Sequence, residues 1–301
     1  MKTYYGLNKL KELKPPVVVL GVFDGVHKGH ILILRAAAKK ARQTKTKSIV
    51  VTFDPHPQKE ESLYSLEHRL KLIAGSGIDI CAVIRFNERF ARITANNFIK
   101  DILLKKLKPG YIFVGENFTF GAGAKGNIAL LKTFSGEYNF KLKVFRVLKK
   151  KGRVISSTQI RRFIKAGKFS LAESLLSRPV SILGTVIKGA SVARQLGVPT
   201  ANIDPHHEVL PPSGVYLVKV NYNKKKHFGV CSIGNKPTFG INKIQHIEVH
   251  ILNFDKNIYK EFLEIEFIKL LRKQKKFSSR EALVAQIKKD IISAKRLISS
   301  H

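Results

Sequence analysis

Short runs of branched apolar residues alternate with amphipathic stretches through the first half of the chain. Val17 to Leu20 (VVVL) follows two prolines and predicts a buried strand. ILILRAAAKKAR, from Ile31, predicts a helix after a glycine-rich turn. SIVVTF, from Ser48, predicts a second strand, closed by Asp54, Pro55, His56 and Pro57. LEHRLKLIA, from Leu66, has helical spacing, and ICAVIRF, from Ile80, reads as a third strand. TANNFIKDILLKKL carries a cap at Thr94 and an apolar stripe that Pro109 and Gly110 stop. YIFVG, from Tyr111, and LKVFRV, from Leu142, give the fourth and fifth strands. This rhythm predicts an α/β domain, a parallel sheet with helices on both faces that takes ligands beyond the carboxyl ends of its strands.

Around Arg178 and Pro179 the rhythm changes to short strands with turn signals. They are SILGTVIKG from Ser181, GVYLVKV from Gly214, HFGVCSIG from His227, QHIEVHILNF from Gln245 and EFLEIEFI from Glu261. The pattern predicts an antiparallel β-barrel, closed by a helix from Arg280 to about Ser299. The expected domains are residues 1–178 and 179–301, as a length of 301 residues suits.

With 44% apolar and 25% charged residues, the chain is neither disordered nor fibrous. Lysine and arginine number 55 against 21 acidic residues, a net charge of +34 that predicts attraction to phosphates, nucleic acid or acidic lipid. The basic runs Lys149–Arg153, Lys224–Lys226 and Arg272–Lys276 are scattered and carry no recognition motif, so they read as solvated faces. Nonspecific nucleic-acid binding is the rival reading, marked by steep weakening with salt. Two distant cysteines, Cys81 and Cys231, exclude a disulfide scaffold or a cysteine-based zinc site. The first residues, MKTYYGLNKLKELK, lack the apolar core of a signal peptide, and no apolar run spans a bilayer. A cytoplasmic protein with small-molecule partners and no membrane is expected.

The strongest chemical signal is GVFDGVHKGHILIL, from Gly21. Gly21 and Gly25 permit a tight turn or close approach of a ligand. His27 and His30 fall where the next helix begins, and the amides of a helix N-terminus suit a triphosphate. Two imidazoles there can donate to phosphate oxygens as charge develops. Metal ligation and a plain surface location are the competing readings. ISSTQIRR, from Ile155, places Ser156, Ser157, Thr158 and Arg161 either as a second phosphate-binding element or as an ordinary helix cap. The G-x-G-x-x-G spelled by Gly121, Gly123 and Gly126 lacks a strand directly before it and a well-placed acid after it, so a ligand loop is favoured over a nicotinamide site.

In the second half, GTVIKGASVARQLGVPTAN runs from Gly184 to Asn202. Gly184 and Gly189 allow backbone amides to approach phosphate, and Thr200 and Asn202 offer hard oxygen ligands suited to magnesium. In IEVHILNF, Glu248 and His250 share a face by the period of two. Glu248 is either a general base toward a hydroxyl or a solvated residue of an edge strand.

GVFDGVHKGH resembles the nucleotidyltransferase signature G-x-F-D-G-x-H-x-G-H, which includes Phe23 and Asp24. The second half resembles a riboflavin kinase domain through R-x-L-G-x-P-T-A-N (from Arg194), P-x-G-V-Y (from Pro212), I-G-x-x-P-T-F (from Ile233) and E-x-H (from Glu248). With V-T-F-D-P-H-P (from Val51) and V-G-E-N-F-T-F-G (from Val114), nearly the whole chain is similar to the bifunctional bacterial riboflavin kinase/FAD synthetase family. The resemblance implies a Rossmann-like nucleotidyltransferase domain followed by a β-barrel riboflavin kinase domain. The barrel would phosphorylate riboflavin to FMN with ATP, and the α/β domain would join AMP to FMN, giving FAD and pyrophosphate. Glu248 would take the ribityl proton, and Thr200 and Asn202 would hold magnesium. Gly184, Gly189 and Arg194 would lie along the kinase phosphates. His27 and His30 would stabilise the α-phosphate transition state, with Gly21, Phe23, Asp24, Gly25, Ser156, Ser157, Thr158 and Arg161 around ATP. Asn117, Pro55 and His56 would face FMN. The chain departs from the family pattern at Ala124, Ala193, Asn253, Asn257, Lys260 and Gln274. The enzymatic alternative is an adenylyltransferase for another phosphate acceptor, with the barrel as a binding module.

Overall fold

The computed structural model describes the chain except residues 9, 11–13, 58–60, 151, 190–197, 236–244 and 300–301. Two compact units form, Met1–Ser62 with Leu66–Ser157, and Leu63–Ser65 with Thr158–His301.

The first unit is a six-stranded sheet of order β1-β4-β3-β2-β5-β6. Its strands are β1 (Lys2–Tyr5), β2 (Val17–Leu20), β3 (Ser48–Asp54), β4 (Ile80–Arg85), β5 (Tyr111–Gly115) and β6 (Lys141–Phe145), and every neighbouring pair is parallel. The five strands expected from sequence are all present. The edge strand β1 was not foreseen, because KTYY carries no apolar run; its register with β4 supplies what its composition lacks. Alternate residues of each strand feed two cores. Val18, Leu20, Ile49 and Val51 pack against Phe98, Ile99, Leu103 and Leu131, while Val17, Val19 and Val50 meet Leu34, Ala37 and Ala38 on the other face. Both faces are therefore covered by helices, as a parallel sheet requires.

The helix expected from Ile31 spans Lys28–Gln43, three residues earlier at its start, because His27 supplies the cap. After Thr94, whose hydroxyl accepts from the Asn97 amide at 3.2 Å, the helical segment Phe98–Leu107 is π-wound and ends in left-handed Lys108 before Pro109. The helices Ile128–Glu137 and Phe169–Leu176 were not read from sequence.

At the amino end of the sheet, Ser48 is fully buried and donates to the Asp79 carboxylate through its amide (2.9 Å) and hydroxyl (2.7 Å), and Lys47 adds an ion pair at 3.3 Å. Burial pushes the Asp79 carboxyl up, but the Ser48 bonds and the Lys47 charge outweigh it and hold the group below the ordinary aspartate value. A depressed carboxyl stabilises the fold above its unfolded value and loses that contribution as pH falls through the folded one. Asp79→Asn should therefore lower Tm at pH 7, with the gap to wild type closing below about pH 4. A gap that stays constant from pH 7 to pH 3 would contradict the role given to the charge.

The second unit contains a closed antiparallel barrel of order β10-β13-β12-β11-β14-β9. Its strands are β9 (Ser181–Ile187), β10 (Ala201–Asp204), β11 (Gly214–Tyr222), β12 (Lys225–Asn235), β13 (Gln245–Ile251) and β14 (Phe262–Lys273); a two-residue hairpin, β7 (Lys149–Lys150) with β8 (Arg153–Val154), precedes them in the first unit. The short β10 was not foreseen as a strand; it completes closure by pairing with both β9 and β13. The barrel face formed by Val215, Leu217 and Val230 is covered by Ala294 of the helix Arg280–Ser299. Arg272 reaches the same helix through two hydrogen bonds that its Nε and Nη2 donate to the Asp290 carboxylate, at 2.9 and 2.8 Å. Asp290 is 5% exposed, so this basic residue is committed to holding the closing helix rather than to solvent.

The P-x-G-V-Y segment is also structural. Tyr216 is buried and its hydroxyl donates to the Pro212 carbonyl at 2.5 Å, while a Cβ on Gly214 would lie 2.7 Å from the Leu270 side chain. Burial pushes the Tyr216 hydroxyl up to about 12.

Candidate active sites

Read without β1, the parallel sheet has the order of a dinucleotide-type doubly wound fold, and its strand order reverses between β2 and β5. The loop after β2 is the glycine and histidine turn. Gly21 lies where a Cβ would meet the Phe23 ring at 3.0 Å, so the glycine makes room for that ring. The next residues form a tight 3-10 turn, Asp24–Val26, with Gly25 at φ 72° and two non-glycine residues, Phe23 (φ 57°) and Val26 (φ 36°), also left-handed. Such residues persist only where the surroundings hold them.

His27 then caps the helix Lys28–Gln43, its Nδ1 accepting from the His30 amide at 3.4 Å. An accepting Nδ1 puts the proton of neutral His27 on Nε2. The two imidazoles stack with centroids 3.7 Å apart and planes within 17°, and Phe23 meets His30 edge-on at 5.3 Å. The histidines thus form one rigid pair at a helix N-terminus. Ser157 reaches this turn, donating from Oγ to the Asp24 carbonyl at 2.8 Å. Ser157 and Asp24 of the histidine turn, 133 residues apart along the chain, therefore meet in space. Ser156 precedes that contact. Thr158 and Arg161 follow it in the helix Ser157–Lys165, with Arg161 one turn on from Ser157.

On the other side of the switch point, Asn117 is exposed just after β5, and Glu116 beside it accepts from the Val147 amide at 2.8 Å. The G-x-G-x-x-G segment that follows holds a 3-10 turn, Ala122–Ala124, and ends just before the helix Ile128–Glu137, which Asn127 caps. Phe120 and Gly126 exchange backbone bonds of 3.1 and 2.8 Å and close the segment as a loop, and Gly121 packs where a Cβ would strike Ala95. Pro55 and His56 follow β3. A cavity of about 450 Å³ opens beside Asp54 and Pro55, lined also by Tyr5, Gly6, Val83 and Arg85, at the carboxyl ends of β1, β3 and β4.

In the barrel, Asn202 and Glu248 are direct cross-strand partners in the β10–β13 pair, and Ser232 of β12 lies opposite Glu248 on its other side. Ile203, Ile247 and Val249, the intervening residues, are buried in the barrel, so Asn202, Glu248 and Ser232 form a row on its outer face, each half-buried. Burial on that face separates Glu248 from a freely solvated edge residue. Gly189 lies against this row: a Cβ there would run into the Asn202 side-chain amide, so a larger residue would displace that side chain. His250 Nδ1 donates to the Pro199 carbonyl at 2.8 Å and holds the segment that presents Thr200. Gly184 is a mid-strand packing position, where a Cβ would strike Ile203 and the Asp204 carbonyl. Arg194 lies outside the described residues, as does most of the I-G-x-x-P-T-F segment. Beside Thr200 a cavity of about 380 Å³ is walled by Val186, Val249, Ile251, Phe254, Ile258 and Tyr259. Its 254–259 wall contains the departure at Asn257, whose side-chain Oδ1 accepts from the Tyr259 amide at 3.2 Å.

Sequence reasoning missed Arg69, the largest fully buried side chain in the protein's described core. The spacing Leu66, Arg69, Leu70, Ile73 is the apolar stripe of its helix, and an arginine on that stripe was the available signal.

Both halves hold donor groups suited to phosphates, one at a helix start on a nucleotide-type sheet, the other on a barrel beside a carboxylate. That combination defines a two-domain enzyme of phosphoryl and nucleotidyl transfer. Known proteins narrow the class. The family described as FAD synthetase matches residues 9–159, and the family described as riboflavin kinase matches residues 176–298. A bifunctional riboflavin kinase/FMN adenylyltransferase from Buchnera aphidicola (subsp. Schizaphis graminum) is 38% identical, with 98% of both chains covered. Its namesake from Escherichia coli K12 is 35% identical, covering 98% of this chain and 97% of that one. A crystal structure described as a macrolide-efflux protein from Streptococcus pneumoniae shares the fold with a TM-score of 0.81 at 29% identity, covering 97% of this chain and 98% of that one. Among the described residues here, no helix is long and apolar enough to cross a membrane. The chain belongs to the bifunctional riboflavin kinase/FMN adenylyltransferase family.

Proposed function

We propose a division of labour in which the two sites act on one vitamin in succession. The chain is a bifunctional riboflavin kinase and FMN adenylyltransferase, a transferase that uses ATP twice. Residues 179–301 make FMN, and residues 1–178 convert it to FAD. The observation that carries the reading is the row on the barrel, where Asn202 and Glu248 face each other across β10 and β13 with Gly189 clearing space beside them.

In the kinase step, Glu248 takes the proton from the terminal ribityl hydroxyl as that oxygen attacks the γ-phosphorus of ATP, and ADP leaves. Thr200 and Asn202 contribute one neutral oxygen each. Such hard donors fit Mg²⁺, which completes its shell with water and phosphate oxygens, and they do not fit a softer metal. When bound, the ion neutralises phosphate charge. His250 keeps the Thr200 segment in place through Pro199. Arg194 borders the phosphates in this reading, while Gly184 keeps β9 close to β10.

In the second step, an oxygen of the FMN phosphate attacks the α-phosphorus of ATP, the bond to the β-phosphate oxygen breaks, and pyrophosphate leaves. His27 and His30 donate to the oxygens where charge accumulates, with the amides of their helix start. Gly21, Phe23, Asp24 and Gly25 shape the turn, and Ser156, Ser157, Thr158 and Arg161 hold the polyphosphate. Pro55, His56 and Asn117, at the ends of β3 and β5, receive FMN. The buried thiols of Cys81 and Cys231, together with the demand for ATP, favour the cytoplasm.

Incubating the purified protein with riboflavin, ATP and Mg²⁺ and separating the products should give FMN first and FAD later. Accumulation of neither compound would refute the reading, and FMN without FAD would refute its second half.

A further inference from the structure

The Arg69 guanidinium is 2% exposed and connects two loops at the carboxyl end of the sheet. Its Nη1 donates to the Val22 carbonyl at 2.9 Å and approaches the Phe53 carbonyl at 3.2 Å. Its Nη2 pairs with the Asp54 carboxylate at 3.2 Å. Thr52 gives the same Val22 carbonyl a second donor, at 2.9 Å. Val22 is the residue before left-handed Phe23, at the entry to the histidine turn, and Asp54 immediately precedes Pro55 and His56.

We infer that Arg69 is a positioning residue for adenylyl transfer, fixing the His27–His30 turn through Val22 and the Pro55–His56 turn through Asp54 with one planar group. This rests on the adenylyltransferase reading given above. Three features carry it. The turn contains two non-glycine residues in left-handed backbone, a conformation that needs external restraint. The carbonyl held is the last one before that turn, and it is held twice. A buried cation with one half-exposed carboxylate partner is a costly way to pack a helix, and an apolar residue would fill the stripe more stably. A fork of donors reaching three separate acceptors explains the choice of arginine, because a lysine ammonium cannot span them.

The test uses the full chain with Arg69→Lys, Arg69→Met and Thr52→Val. Arg69→Lys should lower kcat for FAD formation from FMN by about 10- to 100-fold, the scale of an ångström's misplacement of catalytic groups. KM for ATP should change much less, and riboflavin phosphorylation should be unchanged. Arg69→Met should be worse than Arg69→Lys. Thr52→Val, which buries no stranded charge, should show a smaller loss of the same kind. Arg69→Lys with wild-type kcat and KM would overturn the inference, as would equal losses in both activities alongside a lowered Tm. If Arg69→Met does not fold, the other two variants decide. Failure of the underlying reading is separable, since there the wild-type chain itself forms no FAD.

Discussion

Glu248→Gln should cut FMN formation from riboflavin and ATP by about 10²- to 10⁴-fold, the contribution of a positioned general base. FMN supplied directly should still be converted to FAD. The amide preserves the shape and the outward face of the β13 residue, so the row with Asn202 and Ser232 is retained while the proton acceptor is removed. Ile247 and Val249 hold the strand in the barrel on either side, and Tm should stay close to wild type. Separate assays of the two half-reactions check this. Simultaneous loss of both would contradict two independent sites, and unaltered FMN formation would remove Glu248 from the kinase step.

His30→Ala should give the opposite selectivity. FAD formation from FMN should fall by about 10²- to 10³-fold, as when one donor to a developing oxyanion is removed. Phosphorylation of riboflavin should continue. His30 is stacked on His27 at 3.7 Å and braced by Phe23 at 5.3 Å, so alanine also loosens the pair. His30→Gln, which restores a donor, should recover part of the lost rate, whereas His30→Leu, which fills the space without a donor, should not. An unchanged FAD yield in His30→Ala would remove the assigned role.

The two variants have different sources of legibility. GVFDGVHKGH is contiguous, and its chemistry follows from a strand, a tight turn and a helix start in sequence. Glu248 was ambiguous along the chain, because a glutamate at an alternating position fits a wet edge as well as an active site. Its neighbours Asn202 and Ser232 come from strands 46 and 16 positions away, and only register places them alongside. Gly189 is similar. Its sequence context suggests a phosphate-binding amide, and the fold adds that a Cβ there would press on the Asn202 side chain. Gly184 is likewise a packing position.

The linear chain is enough to set the class of each half, since hydrophobic period and turn residues are local properties that the backbone must follow. It also determined the nucleotide turn, whose residues are consecutive. The tertiary structure decided what depends on distant partners: closure of the barrel by β10, the bond from Ser157 to Asp24, the pairing of Asn202 with Glu248, and the placement of Arg69 between two loops. Those contacts join residues far apart along the chain, and their energies exist only after the chain has closed the intervening loops.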